Sequence, residues 1–91
     1  MGGGRRAAKR RYACPCCRHC TLAARGEYFI CPVCFWEDDG NNDPARGFGP
    51  NGALTLAEGR ANYQAFGACE ERFRHLVREP RPGERRGPAT N

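Results

Sequence analysis

Apolar and polar residues follow two different rhythms along this chain, divided by a stretch that has neither. In the first part the apolar residues come in short β-branched or aromatic clusters: Tyr12-Ala13, Thr21-Leu22 and Tyr28-Phe29-Ile30. None is long enough for a helix, and Gly26 lies between the last two. The pattern predicts strands, with the second and third forming a hairpin that turns at Ala23-Ala24-Arg25-Gly26. From Asn51 the spacing becomes helical. Leu56, Tyr63 and Phe66 share one face, Thr55 with Glu58 fits a capping box, and Gly67 is a stop signal. Cys69, Phe73, Leu76 and Val77 then recur at i, i+4, i+7 and i+8, with Glu70 and Glu71 early, Arg74, His75 and Arg78 late, and Pro80 beyond. This predicts a second amphipathic helix. Between the two regimes an acidic turn, residues 37–44, opens a linker of about seventeen residues, long enough to be functional.

Cysteine spacing changes the picture more than anything else. Cys14-Pro15-Cys16-Cys17 and Cys31-Pro32-Val33-Cys34 repeat one pattern with thirteen residues between them. Two thiols flanking two residues of a tight turn can face one ion, and two such turns complete a tetrahedron, the usual signature of a structural zinc site. Cys14, Cys17, Cys31 and Cys34 are the expected ligands, and Zn2+ the expected cofactor. Cys16, His19 and Cys20 are potential ligands too, and Cys17 with Cys20 makes a third CxxC. Cys14 with Cys17 is preferred because it mirrors the second turn from its Cys-Pro start, which leaves Cys16 pointing outward. Cys69 lies on an apolar stripe, where a thiol behaves as a small hydrophobe. Phe35 and Trp36 are expected to cover the apolar side of the site.

Composition sets the remaining bounds. Ninety-one residues with seven cysteines make one small domain that needs a metal or disulfides to supplement its core. An odd cysteine count and the absence of a secretory apolar run favour metal, in a soluble cytoplasmic protein. Residues 1–13 carry +5, 14–34 carry +1, 35–58 carry −4 and 59–91 carry +3. The composition therefore divides the chain into a disordered basic tail (1–11), a zinc-ribbon domain (12–79) and a disordered Pro/Gly/Arg-rich tail (80–91). Cationic tails can add weak, sequence-independent affinity for nucleic acid. No apolar run approaches a membrane span. Arg6 breaks a myristoylation motif. Asp39, Asn41 and Asp43 alternate as in a calcium loop, but Pro44 and Pro50 stand where that loop needs Gly and Glu. No catalytic grouping, phosphate-cradling loop or HExxH is present.

From Tyr12 to about Pro80 the chain resembles the small bacterial cysteine-rich CPCC family. The likeness rests on Cys14-Pro15-Cys16-Cys17, Thr21-Leu22, the run from Tyr28 to Gly40 containing ICPVCFWEDDG, Asn51-Gly52, Asn62-Tyr63 and Phe66-Gly67-Ala68-Cys69. The resemblance implies a zinc-binding domain and leaves its activity open. The sequence departs from that family's pattern in Arg18, where Gly is usual, and in Cys20. The expected fold is a small α+β domain: a zinc-ribbon β-hairpin with two zinc knuckles, a long loop and a C-terminal helical pair. The expected function is a non-catalytic module that docks a macromolecular partner, most simply a protein. A nucleic-acid-binding ribbon aided by basic tails, and a thiol-redox or metal-handling protein using Cys16 and Cys20, are the alternatives.

Overall fold

The knuckle sequences dictate more of the architecture than the strand propensities do. In the computed structural model, which describes residues 11–87, each CxxC turn closes on itself in the same way. The amide of Arg18 donates to the carbonyl of Cys14 and that of Phe35 to Cys31, both at 2.7 Å, while Cys14 donates to His19 and Cys31 to Trp36, both at 2.9 Å. Closing so tight a turn drives the residue after its second cysteine into the left-handed region: Arg18 has φ 71° and Phe35 φ 73°. Non-glycine residues hold that conformation only at a cost.

Because each knuckle is a turn, it brings its own flanks side by side, and the flanks pair with each other. Strand β1 (Tyr12–Ala13) pairs antiparallel with β2 (Cys20–Leu22) around the first knuckle. Around the second, Tyr28 donates to Asp38, Asp38 to Phe29, and Ile30 bridges Glu37. The expected hairpin between Thr21-Leu22 and residues 27–30 does not form. Tyr28, Phe29 and Ile30 lie instead in this second hairpin, half-exposed. In β1–β2 the register runs Tyr12↔Leu22 and Ala13↔Cys20, so β2 spends one extra residue, Thr21, as a bulge.

One helix follows the long loop. Helix α1 (Leu56–Phe66) begins with the expected capping box, Thr55 accepting from the Glu58 amide and Glu58 accepting from the Thr55 amide, and ends at Gly67 with φ 84°. Leu56 and Gly59 face the core, and Arg60 Nε donates to the Pro15 carbonyl at 2.8 Å, pinning the helix to the first knuckle. The second helix of the expected pair is absent; residues 69–78 hold only one 3-10 turn, Glu71–Phe73. The ends of that segment explain why. Cys69 donates to the Cys34 carbonyl and Arg78 to the Pro32 carbonyl. A continuous helix would separate those ends by about 13 Å, whereas two carbonyls two residues apart stand at most about 7 Å from each other. The chain must therefore loop back, which leaves Leu76 at 60% exposure and sets Phe73 against Phe35, ring centroids 4.4 Å apart.

The linker is tied down by its polar residues. Asp38, fully buried, accepts from Arg25 Nε at 2.7 Å and from the amides of Gly26 and Gly40. Asp39 pairs with Arg46, and the Asn51 side chain bonds both the amide and the carbonyl of Glu37. The core gathers Leu22, Val33, Trp36, Leu56 and Cys69 around the knuckle cysteines.

Residues 80–87 do not behave as a disordered tail. The Arg85 carbonyl accepts from Cys20, Gly87 donates to the Arg18 carbonyl, and Glu84 makes a two-pronged ion pair with Arg78. This arm adds itself to the first knuckle and satisfies amide and carbonyl groups that the turn leaves outward. The expectations for residues 1–10 and 88–91 fall outside the described residues. Among those described, no helix is long and apolar enough to cross a membrane.

Candidate metal centre

The two knuckles meet with their sulfurs facing. Cys14, Cys17, Cys31 and Cys34, all buried, have Sγ atoms within 4.8 Å of one another. Cys14 Sγ stands 3.6 Å from Cys34 Sγ, and Cys17 Sγ 3.7 Å from Cys31 Sγ. Both distances are far too long for a disulfide and match the edge of a tetrahedron built on metal–sulfur bonds of about 2.3 Å, which is about 3.8 Å. The quartet therefore fits a single ion.

The electrostatics point the same way. Burial pushes the Cys14 and Cys34 thiols well up. Cys31 goes down instead, because Cys14, then Cys17 and Cys34, direct their thiols at its sulfur, and the Thr21 hydroxyl adds a contact at 3.0 Å. The Val33 amide also faces Cys31 Sγ, at 3.4 Å. Four sulfurs packed out of water can all be ionised only if a cation sits among them. Thr21 was not visible as part of this site in the sequence; only the β-bulge aims its hydroxyl at Cys31.

The other candidates lie elsewhere. Cys16, expected to point outward, is 4% exposed, its sulfur against helix α1 beside the Trp36 ring. The reason lies in the knuckle: with Cys14 and Cys17 facing inward, the intervening side chain is carried onto the helix at Gly59. Cys20 sits in β2 with its sulfur near Gly87. His19 Nδ1 bonds the Glu84 carbonyl at 2.8 Å, and its ring lies edge-on to Tyr63. Cys69 is fully buried, and desolvation, then the neighbouring Cys16, push its thiol up to about 12. Trp36 is buried and Phe35 partly so, as a cover for the knuckles requires. In the calcium-like stretch, Asp39 and Asp43 accept from the amides of Asn41 and Ala45. The four cysteines are the one group among the described residues with the geometry to hold a metal ion.

A family profile described as Cysteine-rich CPCC matches residues 12–84. The chain belongs to the cysteine-rich CPCC family. The match runs through both knuckles, helix α1 and the arm as far as Glu84, so the folded-back segment belongs to the family's extent as well. Comparison with curated proteins and with solved structures gives no match.

Proposed function

We propose that this CPCC chain is a non-catalytic zinc module whose ion holds the fold and whose surface docks a protein partner. The observation that carries the reading is the buried, all-sulfur quartet at tetrahedral spacing. Closed four-thiolate sites serve structure, because catalytic zinc keeps a position open for water or substrate. When bound, the ion supplies the positive charge that lets four buried thiolates coexist. Tetrahedral four-sulfur sites take zinc or iron, and zinc is favoured because paired CxxC turns are its usual structural site. Docking is supported by the surface: Tyr28, Phe29 and Ile30 are about half exposed on consecutive residues, and Phe48 is 89% exposed.

Metal analysis of the purified full chain tests the first half. One zinc per chain is expected, and replacing any of the four cysteines by Ser should release it and unfold the domain, whereas Cys20→Ser should keep it. Stoichiometric iron, or full zinc retention in Cys17→Ser, would sink the assignment. Alkylation of the metal-loaded chain separates this reading from a thiol-redox protein. Cys20, the least buried of the three remaining thiols, should react first, and Cys16 and Cys69 only on unfolding.

A further inference from the structure

Beside the first knuckle lies a cavity of about 700 Å3, within the range of small-ligand sites. Five arginines line it, Arg18, Arg60, Arg74, Arg78 and Arg86, against one acid, Glu79. They come from four separate stretches of chain: the knuckle, helix α1, the looped segment and the C-terminal arm. Two have structural duties, Arg78 toward Glu84 and Arg60 toward the Pro15 carbonyl. Arg74 meets Glu71 only at 3.7 Å, and its guanidinium rides over Phe66. Among the described residues, Arg18 and Arg86 have no ion pair. Burial, followed by the charge of Arg18, pushes the Arg60 guanidinium down, while Cys16 and Cys14 act in the opposite direction. Arg18 also occupies a left-handed position that glycine would hold without strain. The neighbouring four-thiolate centre, of net charge about −2 with a divalent ion bound, offsets part of this clustering, and the remaining positive charge favours an anion in the cavity.

Guanidinium forks match phosphate oxygens in pairs. Tyr63, a further wall of the same cavity, offers a flat surface for a ring. We propose that this cavity binds a small phosphorylated ligand of the nucleoside-phosphate class, its phosphates on the arginines and its ring along Tyr63. The cavity abuts the metal centre, with Cys17 among its walls, while its arginines lie outside the cysteine quartet. A concavity of this volume favours the small ligand over a nucleic-acid strand, which needs a basic track that continues past it.

Titration of the metal-loaded full chain with adenosine diphosphate, followed by NMR of arginine Nε–H groups and calorimetry, is the test. Saturable binding is expected, with shifts at the cavity arginines and Tyr63, and with inorganic phosphate and adenosine each weaker by about tenfold or more. Arg18→Gly combined with Arg86→Gln should weaken binding by about tenfold or more while metal content and melting temperature hold. Absence of saturation by about 10 mM would overturn the proposal, as would unchanged affinity in the double variant. A short single-stranded oligonucleotide that displaces the diphosphate and binds more than about tenfold tighter would replace the small ligand by a strand. Should the variant fail to fold, shifts in the natural chain confined to Arg46 and Arg72, outside the cavity, would refute it equally.

Discussion

Replacing Gly59 by Ala sets two effects of known size against each other. In mid-helix, Ala is favoured over Gly by about 1 kcal/mol. At this position, however, a Cβ would lie 3.1 and 3.2 Å from two carbons of the Trp36 ring and 3.3 Å from Cys16 Sγ. Each is shorter than an ordinary contact, so the ring or the sulfur must retreat by a few tenths of an ångström. Neither has room. Trp36 is 3% exposed, and the gap it lines together with Pro50, Asn51 and Leu54 holds about 10 Å3. Cys16 is held by a knuckle whose neighbours converge on the metal centre. Overpacking of this kind costs about 1–3 kcal/mol, so the net effect is a destabilisation of about 1 kcal/mol. For a domain of this size that lowers the melting temperature by about 4–8 °C. Thermal unfolding at saturating zinc, followed through Trp36 fluorescence, measures it. The exposed helical residue Ala61 supplies the control, since Ala61→Gly should lose the propensity term alone. A rise in melting temperature for Gly59→Ala would refute the packing argument.

Ending the chain after Glu79 removes the Arg78–Glu84 pair, the His19–Glu84 contact and both backbone bonds to the first knuckle; we expect a loss of about 2 kcal/mol or more in urea unfolding, and an unchanged midpoint would show that the arm is ornamental. Arg78 holds the Glu84 carboxyl down at about 2, from an ordinary value of 4.5. A depressed acid stabilises the fold above its unfolded value and loses that contribution as pH falls through its folded one. Natural chain and Glu84→Gln should therefore differ most above about pH 4.5 and converge toward pH 2; a carbon-13 titration placing Glu84 near 4.5 would contradict this.

What the sequence disclosed, and what it withheld, divides along the range of the interactions. The capping box at Thr55 and Glu58 and the stop at Gly67 are local, and a reader of the letters finds them where the structure has them. The four clustered cysteines were legible for the same reason, since a repeated Cys-Pro start encodes a repeated turn. The strand pairing was not. Thr21-Leu22 and residues 28–30 look like partners only if the knuckles are treated as connectors, whereas closing each knuckle commits its own flanks to each other. The second helix failed because Cys69 and Arg78 are both claimed by the second knuckle, a long-range demand that outweighs a favourable apolar spacing. Pro/Gly/Arg composition hid the arm, whose anchoring rests on backbone groups and on one ion pair.

The arm has a further consequence, in the order of events. It joins Arg18 and Cys20 to Gly87 and Arg85, partners more than sixty positions apart along the chain, while each knuckle closes over a few residues. Distant contacts carry the largest entropy of closure and are made late. The knuckles and their ion can therefore assemble before the arm arrives, and the arm can detach without disturbing them. Amide exchange should register this as two clocks, with Gly87 and Cys20 opening sooner than Cys31 and Phe35. Of the cavity's five arginines, Arg86 is carried by the faster-opening part, so the walls of that pocket are set on two timescales.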